Sequence, residues 1–188
     1  MTQNELLDQY IVILSKWNKK INLVQEDTLN SAFERHIKDS LQIQNYLDKN
    51  DLIIDVGSGA GLPGIILAIQ GFNVVLCEKS FKKCTFLRDV KSKLNLNCEI
   101  YNGDVFELKI PGDKKDKTVL VSRAFGSLSK LLEVMEKLNV SRGTFHKGVN
   151  YQAEIDEAKE KFDFKVTTDQ SKTNRKSVIL NISNVRRK

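Results

Sequence analysis

Two carboxylates and a run of glycines are the residues of this chain best placed to do chemistry. Leu52-Ile53-Ile54-Asp55-Val56 reads as a buried strand, and Gly57-Ser58-Gly59-Ala60-Gly61-Leu62-Pro63-Gly64 follows as a tight turn into a helix. Glycine is needed where the backbone takes positive φ or closes on a ligand. The turn delivers a helix N-terminus, whose free N–H groups favour a polar or anionic part of a ligand. Asp55 puts a carboxylate into the same crevice. Val74-Val75-Leu76-Cys77-Glu78 reads as a second strand ending in an acid. An acid at that place can accept hydrogen bonds from both hydroxyls of a ribose. Together these residues imply a nucleoside-containing cofactor held by a parallel α/β sheet.

The glycines alone leave two cofactors open. Gly59-Ala60-Gly61-Leu62-Pro63-Gly64 fits the dinucleotide pattern G-x-G-x-x-G, with Glu78 near the expected spacing. Asp55, Gly57, Gly59 and Gly61 equally fit the D-x-G-x-G-x-G pattern with which class I methyltransferases hold S-adenosylmethionine. Asp55 tips the local reading toward the second. A carboxylate repels a pyrophosphate and attracts the methionine ammonium of S-adenosylmethionine.

The elements that must position these residues alternate along the chain. Apolar positions at Leu6, Leu7, Tyr10, Ile13, Leu14, Trp17 and Ile21 predict a helix over residues 3–22. A second helix is expected over about 28–48, with Leu29, Phe33, Ile37, Leu41 and Leu47 turned inward. Strands are expected near 52–56, 73–78, 98–102, 118–123, 143–147, 162–168 and 176–183, and helices near 61–70, 80–95, 127–139 and 150–161. Such alternation predicts a parallel sheet with helices on both faces. The last two strands have no helix between them, so they should form an antiparallel hairpin at one edge. Residues 1–48 are expected to make an N-terminal helical cap and 49–188 the sheet domain, together one unit. Lys109-Ile110-Pro111-Gly112-Asp113-Lys114-Lys115-Asp116 reads as a loop.

A chain of 188 residues can bury a sizeable core without disulfides. Its apolar runs are too short to span a membrane, and Met1-Thr2-Gln3-Asn4-Glu5 lacks the pattern of a secretory signal. Cys77, Cys84 and Cys98 lack paired metal-type spacing, which suits reduced thiols in a cytoplasmic protein. The formal net charge of +6 is unevenly placed. Residues 79–93 carry Lys79, Lys82, Lys83, Arg88, Lys91 and Lys93 against Asp89. Residues 171–188 carry Lys172, Arg175, Lys176, Arg186, Arg187 and Lys188 with no acid. The rest of the chain is therefore net acidic. Two basic blocks on such a body suit a polyanion, although a solvated helix face with a basic tail reads the same way on charge alone.

Ligands of a parallel sheet bind at the carboxyl ends of its strands. Glu78 ends the second strand, Asp104 follows the third, Arg123 ends the fourth and Lys147 the fifth. Asp104 with Val105 and Phe106 can hold an adenine, the carboxylate accepting from the exocyclic amine beside apolar groups. Asp104 also suits a plain turn after Gly103. Arg123 and Lys147 offer cations for phosphate or cofactor, or ion pairs with neighbouring carboxylates.

Further segments give the sequence a family likeness. They are Trp17-Asn18 with Ile21-Asn22-Leu23, Arg35-His36-Ile37-Lys38-Asp39-Ser40-Leu41, the Asp55-to-Gly64 loop, and Glu78-Lys79-Ser80 with Lys82-Lys83 and Phe86-Leu87. Ser122-Arg123-Ala124-Phe125 and Lys147-Gly148 complete them. The chain resembles, over nearly its whole length, the bacterial small-subunit ribosomal RNA methyltransferase G family, also called glucose-inhibited division protein B. The resemblance implies a class I, Rossmann-like methyltransferase fold with a seven-stranded, mostly parallel sheet and an antiparallel C-terminal hairpin. It implies S-adenosylmethionine as cofactor and N7 of a guanine in 16S rRNA as acceptor, guanine 527 in the usual rRNA numbering. By resemblance, Gly57 and Leu62 line the methionine side of the cofactor, Glu78 takes the ribose, Val105 and Phe106 border the adenine, and Arg123 belongs to the same site. Where the family commonly has an arginine after the third strand, this chain has Asp104. The chain is also slightly short near 109–117.

His36 and Asp39 lie three apart, on one face of the expected second helix. Either that helix caps the crevice and helps hold RNA, or the two form a local hydrogen-bonded pair that orients the N-terminal helices. The local pair is the preferred reading. Guanine N7 carries an in-plane lone pair and loses no proton on methylation, so no general base is required and alignment should dominate. Arg123 and Lys147 are the candidates for positioning. The 30S subunit or its 16S rRNA is the expected partner, and a monomer in the cytoplasm is the expected state. Three alternatives stay open: a class I methyltransferase with a small-molecule or protein acceptor, a nicotinamide-dependent oxidoreductase, and a non-catalytic rRNA-binding assembly factor.

Overall fold

The runs of aliphatic residues read as strands form one seven-stranded sheet in a computed structural model that describes residues 1–188, the side chain of Asp113 excepted. The strands are β1 (Leu52–Val56), β2 (Asn73–Glu78), β3 (Cys98–Asn102), β4 (Thr118–Ser122), β5 (Arg142–Lys147), β6 (Phe162–Gln170) and β7 (Val178–Arg187). Their order is β3-β2-β1-β4-β5-β7-β6. The first five are parallel, and β7 runs antiparallel between β5 and β6. The expected edge hairpin is present, reaching Gln170 and Arg187 at its two far limits. The strand order reverses between β1 and β4, which opens a crevice at their carboxyl ends.

Helices α1 (Gln3–Asn18), α2 (Asp39–Leu41), α3 (Gly64–Ile69), α4 (Phe81–Leu94), α5 (Leu128–Leu138) and α6 (Tyr151–Lys161) cover the sheet. Successive residues of β1 point to opposite faces. Ile53 packs with Leu7, Tyr10 and Leu14 of α1, Ile65 and Ile66 of α3, and Phe86 and Leu87 of α4. Ile54 and Val56 pack with Leu131, Leu132 and Met135 of α5 and Ile155 of α6. The N-terminal helix therefore shares a core with the sheet. Burying each of these aliphatic side chains contributes about 1.5–3 kcal/mol. Thr2 closes a capping box on α1, Ser80 and Ser127 cap α4 and α5, and left-handed Asn95 and Asn139 end those two helices. Among the described residues no helix is long and apolar enough to cross a membrane.

The structure corrects the expected second helix. Residues Glu26–Ser31 form a 3-10 segment, Phe33–Lys38 a π segment, and Gln42–Tyr46 another 3-10 segment, with the single α turn of α2 between the last two. A π turn takes an extra residue and shifts the phase of the buried stripe. His36, Ile37, Ser40, Gln42 and Ile43 are buried, while Phe33 is 40% exposed and Leu41 only half-buried. The first helix also stops at Asn18, four residues before the expected end, because the Asn18 carboxamide oxygen accepts from the Leu23 and Val24 N–H groups and turns the chain. Between β3 and β4 the chain makes two short 3-10 turns, Val105–Glu107 and Gly112–Lys117, the second lying largely in the expected loop.

Candidate functional site

Asp55, at the end of β1, sits under the glycine turn. Its Oδ2 accepts a hydrogen bond from Gly64 N–H at 3.2 Å. A Cβ on residue 64 would meet the Asp55 and Leu76 side chains, so glycine is what lets the carboxylate approach α3. The other oxygen, Oδ1, is buried without a hydrogen-bond partner. Burial raises the Asp55 pKa from 3.8 to about 7. Gly57 has φ +69°, and a Cβ there would stand 2.6 Å from Phe125 Cδ2. The acid ending β2 is tied to the same turn: Glu78 Oε2 accepts from Gly59 N–H at 3.0 Å and Oε1 from Ser80 N–H at 2.8 Å. Beneath the turn, the hydroxyl of fully buried Tyr10 donates to Ala60 O at 2.7 Å.

A cavity of about 210 Å³ opens beside this turn. Gly57, Glu78, Asp104, Val105, Phe106 and Phe125 line it. Five sequence-named residues thus meet in one crevice. Gly61 and Leu62 are buried behind it, with Gly61 against Ile65 and Leu87. Asp104 is exposed, and its Oδ1 accepts from Phe106 N–H at 3.0 Å, so it also makes the turn that holds Val105 and Phe106 in place.

The segment from Ser122 to Gly126 divides this crevice from a second cavity of about 1060 Å³. Ala124 and Phe125 face the crevice, while Arg123 faces the larger space with Arg35, His36, Asp39, His146 and Thr173. Arg123 Nη2 meets His36 Nδ1 at 2.7 Å. His36 Nε2 lies 2.8 Å from Thr28 Oγ1, whose own hydrogen goes to Gln25 O. His36 therefore donates from Nε2 and accepts from Arg123 at Nδ1. Burial, then the Arg123 charge, lower its pKa from 6.5 to about 4, so it is neutral. Arg123 Nη1 is buried and unpartnered.

His36 and Asp39 do not form the expected local pair; they serve different partners. Asp39 Oδ1 accepts from Thr173 at 2.7 Å and Ser171 at 3.2 Å, joining α2 to the β6–β7 turn. Its carbonyl accepts from His146 Nε2 at 2.9 Å. Burial also holds the His146 pKa below its usual value. Lys147 is 7% exposed and committed: Nζ donates to Glu154 Oε2 at 2.7 Å and to Gly126 O at 2.8 Å. Glu154 also accepts from Leu128 N–H, so the ion pair knits β5, α5 and α6 together.

Sequence reasoning missed Thr28, His146, Phe125 and the Tyr10 hydroxyl. Phe125 lies in a quoted segment, but only the fold shows it over Gly57. Tyr10 reads as a core position, and periodicity says nothing of where a buried hydroxyl points.

Two buried atoms of opposite charge type thus lack partners: Asp55 Oδ1 and Arg123 Nη1. The two side chains lie close enough for each to shift the other's ionisation. The pair has charges complementary to the ammonium and carboxylate of an amino-acid group, as S-adenosylmethionine carries, although Arg123 lines the larger cavity and neither side chain lines the smaller one. The pair does not fit a pyrophosphate, since Asp55 already occupies the Gly64 N–H that a phosphate would need. Among the described residues no three His, Cys, Asp or Glu side chains gather as metal ligands.

The basic blocks divide between the two ends of the sheet. Exposed Lys79 and Lys82 lie at the carboxyl end, at the start of α4, as do exposed Lys172, Arg175 and Lys176 in the β6–β7 turn beside the larger cavity. Arg187 and Lys188 lie at the opposite end, paired with Glu136 and Asp163.

The chain is similar to known methyltransferases. The Ribosomal RNA small subunit methyltransferase G of Rickettsia rickettsii (strain Sheila Smith) is 38% identical over 184 residues, covering 96% of this chain and 94% of the relative. That of Rickettsia akari (strain Hartford) is 37% identical over 184 residues, with the same coverage. Among solved structures, a SAM-dependent methyltransferase from Aquifex aeolicus superposes with TM-score 0.60 at 12% identity, covering 81% of this chain and 92% of that one. M. jannaschii TYW2, in complex with AdoMet, superposes with TM-score 0.58 at 15% identity, covering 81% and 76%. These structural likenesses show the class I, Rossmann-like fold. Residues 3–182 match the family model described as rRNA small subunit methyltransferase G, and the chain belongs to that family.

Proposed function

We propose that this protein methylates N7 of a guanine in 16S rRNA, guanine 527 in the usual rRNA numbering, with S-adenosylmethionine as donor. Family membership makes S-adenosylmethionine-dependent rRNA methylation its activity class. The observation that carries the cofactor reading is the unpartnered pair of Asp55 Oδ1 and Arg123 Nη1. When bound, S-adenosylmethionine supplies an electrophilic methyl on a sulfonium. In this reading Asp55 and Arg123 hold the amino-acid end, with Gly57, Gly59, Gly61 and Leu62 shaping the turn against it. Glu78 receives the ribose, and Asp104, Val105 and Phe106 border the adenine.

The larger cavity suits the acceptor. It adjoins the crevice across one segment of chain, it is lined mostly by polar side chains, and its wall includes Thr173, Asn174 and Ser177 of the β6–β7 turn that also carries exposed Lys172, Arg175 and Lys176. A base embedded in folded rRNA must be turned out to enter such a space. Guanine N7 needs alignment and no proton acceptor, which suits a site where Lys147 is ion-paired and both His36 nitrogens are committed. The 30S subunit or its 16S rRNA is the proposed partner, bound by a monomer. Residues 1–48 serve as a helical cap that walls the acceptor cavity.

Calorimetric titration separates this from a nicotinamide enzyme. S-adenosylmethionine should bind and NADH should give no heat. NADH binding without S-adenosylmethionine binding would overturn the cofactor reading.

A further inference from the structure

Two segments that set this chain apart from other Gly-loop proteins, Arg35–Leu41 and Ser122–Phe125, touch at one hydrogen bond. We propose that His36 is a positioning residue that acts through Arg123, holding one end of the guanidinium so that Nη1 faces the carboxylate of the bound cofactor. The inference rests on the cofactor reading above and goes beyond it.

The geometry supplies each link. A guanidinium can rotate about several bonds and fixes nothing unless something holds it. Here Nη2 is held at 2.7 Å by His36 Nδ1, while the nearest carboxylate, Asp39, stands 3.9 Å from Nε. His36 can serve only as a neutral ring with its proton on Nε2, because two N–H donors cannot face each other. Thr28 selects that tautomer: its hydroxyl hydrogen is spent on Gln25 O, which leaves it an acceptor for His36 Nε2–H. The π segment turns His36 inward to reach both partners. What remains is Nη1, buried and without a partner, on a side chain within electrostatic reach of Asp55. A buried donor left unsatisfied is costly, and a carboxylate is its strongest partner.

A purely structural role for His36 would run through Thr28, and the two roles use different ring atoms. Asparagine places an acceptor near the Nδ1 position and lacks the Nε2 donor. Glutamine reaches the Nε2 position and lacks the Nδ1 acceptor. The test is the dissociation constant of S-adenosylmethionine by calorimetry for His36→Asn, His36→Gln, Arg123→Ala and Arg123→Ala combined with His36→Gln. His36→Gln should weaken binding about tenfold and His36→Asn by less than about threefold. In the Arg123→Ala background, His36→Gln should add less than about twofold, since its effect passes through the missing guanidinium. The opposite order of Asn and Gln, or independent losses that multiply, would overturn the proposal. Wild-type protein that fails to bind S-adenosylmethionine would instead sink the cofactor reading. One measurement needs no His36 variant: the chain has two histidines, so ¹⁵N spectra resolve each ring. His36 should be the Nε2–H tautomer, with its Nδ1 signal moved in Arg123→Ala. An Nδ1–H tautomer would refute the assignment.

Discussion

His36 carries a pH signature that a variant can isolate. Its folded value of about 4 lies below the unfolded 6.5. Between those values the unfolded chain holds a proton that the folded chain refuses. The stability His36 contributes is therefore complete above 6.5 and lost as pH falls toward 4. Asp55 has the opposite sign, its raised value favouring the folded state at low pH, so a difference against a variant is needed to isolate His36. Urea unfolding of wild type and His36→Gln from pH 4 to 7 should give a stability difference that shrinks as pH falls. A difference independent of pH would contradict the buried neutral ring. At this scale the sequence told residue types better than partners. Asp55, Gly57 and Glu78 were legible because turn chemistry and strand ends restrict what they can do. The bond from His36 to Arg123 spans 87 positions and follows no local period.

Elements were legible where periodicity and capping agree. β1, β2 and β3 fall on the expected residues, and α4 and α5 end at left-handed asparagines after clear apolar stripes. The stretch from Glu26 to Tyr46 was legible only in part: Leu29, Ile37 and Leu41 pack on the core as expected, but 3.6-residue spacing cannot reveal the π turn that leaves Phe33 exposed. Lys147 shows how packing between elements decides a role that spacing leaves open. It sits at a strand's carboxyl end, as a ligand-binding residue would, yet its ammonium joins β5 to α6 through Glu154. Lys147→Met should lower unfolding free energy by about 1–3 kcal/mol, because Gly126 O and Glu154 lose their donor. Adding Glu154→Gln should recover part of that loss in chemical denaturation. A stable Lys147→Met protein with impaired methylation would instead return Lys147 to the acceptor site.

For the whole molecule, the placement of charge matters more than its sum. Composition alone treated residues 171–188 as one basic tail. The hairpin folds that block in two, with Lys172, Arg175 and Lys176 beside the larger cavity and Arg187 and Lys188 ion-paired at the far end of the sheet. The logarithm of RNA affinity should fall linearly with the logarithm of salt concentration. Replacing Lys172, Arg175 and Lys176 together by glutamine should lower that slope by about 2, at about 0.7 per phosphate contact. Arg187→Gln should leave it unchanged. Equal effects from the two ends would place the RNA elsewhere. The measurement that tests the central claim most directly is methyl transfer from labelled S-adenosylmethionine to 30S subunits or 16S rRNA lacking the modification, followed by nucleoside analysis. Label should appear as 7-methylguanosine at guanine 527 and be abolished when that base is replaced. Label in any other nucleoside, or none in any RNA while S-adenosylmethionine still binds, would contradict that claim.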